Sequence, residues 1–216
     1  ELATARSTGK PVGWMHGFPQ APKDMTATAG IVTTQGSPIF RHYVPKADSI
    51  QVERIRKAGA ILIGKTNTPE FGLGSHTYNT VFGTTVNAYD PTRSAGGSSG
   101  GTAVALALNL LPVADGSDYM GSLRNPGAWN NVFGLRPSSG RIPFGPNPEV
   151  YVQQLGYEGP MGRSVADLAM LLSVQAGYDS RTPLSLTGDP AQFAQPLDKD
   201  VKGLRIGWLG DFEGYL

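Results

Sequence analysis

Residues 96–122 read GGSSGGTAVALALNLLPVADGSDYMGS, and the order of their parts sets the architecture. Two glycine-dense loops bracket an apolar middle. Small residues from Ser99 onward continue into AVALAL, which predicts a buried helix over 99–109. Leu111-Pro112-Val113-Ala114 then reads as a strand that leads into the second glycine loop. On either side of this stretch the same alternation recurs. Residues 47–58 (ADSIQVERIRKA) place Ile50, Ile55 and Ala58 near one face of a helix, with Gly59 as its stop. Ala60-Ile61-Leu62-Ile63 reads as a short buried strand. A short helix is expected over 122–130, with Ser122 at or near its start. Ser164-Val165-Ala166-Asp167 opens another helix that runs to about Gln175 and is stopped by Gly177. Gly203 to Leu209 reads as a last strand. Alternating helices and strands argue for an α/β architecture, a sheet with covering helices. Residues 142–160 and 178–202 are rich in proline and polar residues and read as long surface loops, the second a candidate linker. A final strand with nothing after it reads as part of a longer chain.

Composition narrows the function. The chain has 216 residues, enough for one sizeable core or two small ones, and a net charge of +1. That balance leaves no basic footprint for nucleic acid. No run approaches the roughly 18 apolar residues of a membrane helix. Cysteine is absent, which excludes disulfides and thiolate metal sites and fits a reducing cytoplasm, while leaving a removed signal peptide open. No histidine or carboxylate cluster has metal-ligand spacing, and His16 and His76 read as hydrogen-bonded structural residues. Nothing implies a cofactor.

Two motif matches fail on physical grounds. Gly59 to Thr66 (GAILIGKT) fits the phosphate-loop pattern GxxxxGK[ST]. That loop needs a strand before its first glycine and a flexible turn between the glycines. Here a helix precedes Gly59, and the turn positions are Ala-Ile-Leu-Ile, the strand itself. Gly96-Gly97-Ser98-Ser99-Gly100 fits the GxSxG nucleophile elbow, with a second frame at Ser99. An elbow needs an apolar strand directly before it. The residues before it, Asn87 to Ser94, form a polar loop.

Serine, serine and lysine can form a nucleophile and a proton relay without histidine. A serine hydroxyl is a weak nucleophile until a base takes its proton. Lysine serves as that base only when neutral, so its free pKa of about 10.4 must fall by several units. Lys23 sits among Phe18, Pro19, Ala21, Pro22 and Met25, which can desolvate it. Pairing with the adjacent Asp24 would instead hold its charge on. A bridging Ser98 both donates and accepts, and can pass a proton between Lys23 and Ser122. A tight turn at Tyr119-Met120-Gly121-Ser122 can converge four backbone N–H groups on one oxyanion. Tyr119 and Met120 can also line a substrate pocket, with Trp129 nearby. Asp118 and Arg124 read as a structural pair.

At this point the chain resembles the amidase signature family of serine hydrolases. The matching segments are HGFPQAPKDM, GKTNTPEFG, SAGGSSGGTA, GSDYMGSLRNP, FGLRPSSGRIP and GPMGRSVADLA, in the family's order, over about residues 10–210. The resemblance implies a mixed, twisted β-sheet core flanked by helices, with residues 1–216 part of one such domain whose N- and C-terminal portions are missing. It implies Ser122 as acyl nucleophile, Ser98 as bridging serine after a cis peptide bond, and Lys23 as general base. It implies cleavage of a small-molecule amide to acid and amine through an acyl-enzyme, in a protein open to assembly as a homo-oligomer. Two departures stand out. Met120-Gly121 replaces the usual pair of glycines, and Pro22 replaces an aliphatic residue and removes one N–H. Three functions are consistent with this pattern. They are a stand-alone amidase, the glutaminase subunit of a tRNA-dependent amidotransferase, and a non-catalytic module of the same fold.

Overall fold

The computed structural model of the chain describes residues 2–9, 12–146, 149, 155–208, 210 and 214. Among them, helices and short strands alternate as expected. α1 (Leu2–Thr8) is followed by β1 (Pro19–Gln20), α2 (Ile50–Lys57) and β2 (Ile61–Leu62). The β3 (Tyr78–Asn79) and β4 (Gly83–Thr84) hairpin precedes α3 (Gly100–Ala107) and β5 (Ala114–Asp118). Then come α4 (Arg124–Trp129), β6 (Phe133–Gly134), β7 (Tyr157–Gly162) and α5 (Val165–Gln175). β1 and β2 pair in parallel across α2, and β5, β7 and β6 form an antiparallel sheet in that order. No helix among the described residues is long and apolar enough to cross a membrane.

Local chemistry explains the helix limits. The Ser49 hydroxyl accepts the Val52 N–H at 3.3 Å and caps α2. Gly59 ends it at φ +97, where a Cβ would stand 2.8 Å from the His16 Cα. Ser164 and Asp167 form a reciprocal capping box at the start of α5, with both bonds at 3.1 Å. α3 buries Thr102, Ala103 and Leu106 and stops before Asn109, which takes φ +58.

Four expectations shift. The strand expected at 111–114 begins three residues later, at Ala114, because Pro112 lacks the N–H a ladder needs. Ile61 and Ile63 are exposed, so the segment 60–63 is not a buried strand. The loop expected over 142–160 ends in β7, the central strand, although Gly159 and Pro160 read as a turn. Residues 204–208 form no strand, since an extended segment becomes one only beside a partner, and Leu204, Ile206 and Trp208 are exposed. Leu209 lies outside the described residues.

The β5–β7 ladder divides the molecule's interior from its chemistry. Ala114 pairs with Met161 and Gly116 with Gly159, and this face carries the core with Leu106, Leu111 and Leu123. On the alternate positions, Asp115 pairs with Pro160 and Ser117 with Glu158. Two opposed glycines make room for one side chain. A Cβ on Gly116 would come within 2.8 Å of Leu123 Cδ2, and one on Gly159 within 2.4 Å of Leu123 Cδ1. Leu123 directly follows Ser122, so this fit seats the serine loop on the sheet. Gly159→Ala would also meet the Leu135 carbonyl oxygen at 2.3 Å. It is expected to cost about 1–3 kcal/mol, read as a lower denaturation midpoint. An unchanged midpoint would show that Leu123 does not need this notch.

Candidate active site

Lys23 has no exposed surface. Its segment bridges in parallel to Thr66, and the bonds used are the Pro22 carbonyl and the Asp24 N–H. The N–H that Pro22 lacks is therefore not missed there. The Lys23 N–H donates to Asp115 Oδ2 at 3.2 Å. Its Nζ donates to Ser98 Oγ at 2.6 Å, Ser117 Oγ at 2.9 Å and Ser99 Oγ at 3.1 Å. An ammonium has three N–H donors, and each finds a hydroxyl. Burial pushes the Lys23 pKa down to about 8, against the opposing pull of Glu158, Asp115 and Asp118. Asp24 is not its partner. The Asp24 carboxylate accepts the Thr34 N–H at 3.0 Å and the Thr34 hydroxyl.

The first glycine loop carries Ser98 into the cleft. The Gly97–Ser98 peptide is cis. A Cβ on Gly97 would stand 2.9 Å from the His76 N, so the backbones pack too closely there for a larger residue. The Ser99 N–H donates to the Ser122 carbonyl at 3.2 Å and ties the two glycine loops together. Ser122 is half-buried and faces the same cleft as Ser98. Among the described residues no hydrogen bond joins the Ser98 and Ser122 hydroxyls. Ser122 lies two residues before α4 rather than at the start of a helix.

The turn at 118–123 closes on a carboxylate. Asp118 Oδ1 accepts the Gly121 N–H at 2.8 Å, and Oδ2 accepts the Leu123 N–H at 3.1 Å. The Gly121 N–H, expected to face an oxyanion, is thus turned onto Asp118. The Tyr119, Met120 and Ser122 N–H groups make no hydrogen bond to another described residue. Arg124 pairs with Asp118 through two bonds of 3.1 Å, and Arg136 adds one of 2.9 Å. Arg136 also stacks on Tyr157 at 3.9 Å.

Burial pushes the Asp118 carboxyl up, but bonds from Arg124, Gly121 and Leu123 outweigh it and hold the pKa down to about 2. A folded value below the unfolded one stabilises fully above about pH 4, and the gain is lost as pH falls through 2. With Arg124 half exposed, the gain is about 1–2 kcal/mol. Asp118→Asn should therefore lower Tm at neutral pH, with the two Tm curves converging toward pH 2. A gap that does not depend on pH would contradict this role.

The cleft has a volume of about 620 Å³. Ser98, Ser117, Ser122 and Glu158 supply its polar wall, while Met25, Phe71, Leu73 and Phe144 supply apolar surface. Tyr119 and Met120 line it, and both are exposed. Trp129 does not line it. Its ring packs near His76, at 6.0 Å between centroids, and against Gly96. His76 is held through Nδ1 by the Ser94 hydroxyl at 2.7 Å. Lys65, from the rejected phosphate-loop match, turns its amine inward to the Thr26 carbonyl and, at 2.7 Å, the Thr28 hydroxyl. Sequence reasoning misses Ser99, Ser117 and Glu158. A strand read over 114–118 would have put Asp115 and Ser117 on one face by their spacing of two.

The family model Amidase matches residues 1–215. The chain belongs to the amidase signature family. It is 42% identical over 203 residues to a component of the glutamyl-tRNA(Gln) amidotransferase of Chloroflexus aurantiacus, covering 94% of this chain and 41% of that protein. It is 40% identical over 208 residues to the acylamidase of Rhodococcus erythropolis, covering 96% of this chain and 43% of that protein. A solved bacterial aryl acylamidase of the amidase signature enzymes matches with a TM-score of 0.81 and 37% identity, over 87% of this chain and 39% of that one. The likeness confirms a fold of mixed helices and sheets. The chain spans about two fifths of the length of these relatives. Both amidase-family glycine loops, GGSSGG and GSDYMGS, wall the cleft.

Proposed function

We propose that the protein is an amide hydrolase with Ser122 as acyl nucleophile, Ser98 as proton relay and Lys23 as general base. The observation that carries this reading is the fully buried Lys23 amine held 2.6 Å from Ser98, on a cleft that Ser122 also lines. Once Lys23 loses its proton it has a lone pair and two N–H bonds. One of its three contacts must then reverse, and Ser98 at the shortest distance becomes the donor. Ser98 in turn accepts the Ser122 proton when the Ser122 side chain swings toward it. Such contacts are often loose without substrate.

The Ser122 Oγ–carbon bond forms as the carbonyl π bond opens to an oxyanion. The N–H groups of Tyr119, Met120 and Ser122 receive that charge, each worth about 2.7–4 kcal/mol when removed. The carbon–nitrogen bond breaks, and the relay returns the proton to the leaving amine. Water then loses a proton through the same relay and attacks the ester carbonyl, the carbon–Oγ bond breaks, and the relay returns the proton to Ser122 as the acid leaves.

The apolar wall formed by Met25, Phe71, Leu73 and Phe144 favours an amide with an apolar acyl or aryl group. The relatives that are amidotransferase components support a second reading, glutaminase action beside partner proteins. Steady-state hydrolysis of an acyl anilide and of glutamine separates the two. The anilide is expected to give the higher kcat/KM by more than about tenfold. Preference for glutamine would favour the second reading, and hydrolysis of neither would overturn both.

A further inference from the structure

Glu158 stands opposite Ser117 on the β5–β7 ladder. Directly paired residues project to one face with Cβ atoms about 4.5–5.5 Å apart. Ser117 Oγ is itself 2.9 Å from Lys23 Nζ, so the residue paired with Glu158 is one that the amine reaches. Glu158 is only 7% exposed and lines the cleft, and its Oε2 has no hydrogen-bond partner among the described residues. An ionised carboxylate is costly in such a place. The charged groups around it are Asp115, Lys23 and Lys65, with Asp118 further along β5.

We propose that Glu158 is a positioning residue that acts through Lys23, its charge setting the pH at which the lysine becomes free to accept a proton. The proposal rests on the reading of Lys23 as general base. An ionised Glu158 holds the proton on Lys23, and a protonated Glu158 lets it go. Burial, followed by the charge of Asp115, pushes the Glu158 carboxyl up to about 8, beside a lysine brought down to about 8. Two neighbours so matched titrate as a pair rather than one by one. Asp115, two residues before Ser117 on the same face and fully buried, is a second carboxylate that opposes ionisation of the first.

The test is the rate at which a fluorophosphonate labels Ser122, followed against pH in the wild type, Glu158→Gln and Glu158→Asp. Labelling in the wild type should rise with pH through a midpoint near 8. Removing the charge lets Lys23 lose its proton more easily, so Glu158→Gln should lower the midpoint by about one unit. The gain is confined to the pH range in which Glu158 is ionised in the wild type, and the two rates should converge at low pH. Glu158→Asp keeps the charge and should keep the midpoint. A purely structural role would slow labelling or lower Tm without moving the midpoint, and an unmoved midpoint in Glu158→Gln overturns the proposal. Should that variant fail to fold, the side-chain carboxyl carbon of Glu158 in the wild type decides by NMR. An inflection of that carbon at the midpoint of Ser122 labelling supports the proposal, because two coupled groups sense each other's titration, and no inflection there overturns it. Absence of Ser122 labelling in the wild type would sink the base assignment as well, whereas labelling with an unmoved midpoint sinks only the role of Glu158.

Discussion

Ser122→Ala is expected to lower kcat/KM for amide hydrolysis by about 10⁴- to 10⁶-fold. The size of the effect follows from what the hydroxyl does. Without Oγ no acyl-enzyme forms, and the only remaining route is attack by water on a carbonyl polarised by the loop N–H groups. That residual route is worth about 10³–10⁴ over water in serine hydrolases. The variant should fold, because Ser122 is half-buried and its backbone carbonyl, not its side chain, binds Ser99. Ser98 and Ser117 also face the cleft. If either were the nucleophile, Ser122→Ala would lose far less. An activity within about tenfold of wild type, with an unchanged Tm, would remove Ser122 from the mechanism.

Lys23→Met should cost about 10²- to 10⁴-fold in kcat/KM, the range for losing a general base. Methionine fills much the same volume and brings no charge into a closed site. It leaves Ser98, Ser99 and Ser117 without their shared donor. The neighbouring Asp24→Asn is the internal comparison. Asp24 is turned to Thr34 and holds the loop, so it should lose activity by less than about tenfold and show its effect mainly in Tm. The reverse ranking would argue against Lys23 as base. The pH profile gives a second check. Wild-type activity should rise as pH passes about 8, where the buried amine sheds its proton. Lys23→Met should lose that limb rather than merely scale it down.

Much of this site is legible in the chain, and the illegible parts have physical reasons. The glycine loops announce themselves, because only glycine permits the close packing at Gly97 and Gly116. The helices follow from their periodicity and from the serines at 49 and 164 that cap them. Lys23 is legible only through the ordered set of family segments. Its local apolar neighbours suggest burial, but the hydroxyls that hold its amine come from residues 75 to 94 positions away. Glu158 is hidden because Gly159 and Pro160 mark a turn in most contexts. Here they sit in a central strand whose partner supplies the missing order, a tertiary choice that local propensity does not show. Trp129 shows the opposite error. It is close to Ser122 in sequence, but α4 sets its ring against Gly96 and near His76, outside the cleft lining.

Mapping of a fluorophosphonate adduct distinguishes the nucleophile from its neighbours. Ser98, Ser99, Ser117 and Ser122 all fall on the tryptic peptide from Ser94 to Arg124, so fragmentation within that one peptide must place the modification. The adduct is expected on Ser122 alone, and its formation should be slowed at least about 100-fold in Lys23→Met. An adduct on Ser98, Ser99 or Ser117, or labelling that proceeds at the wild-type rate without Lys23, would contradict the assignment of nucleophile and base.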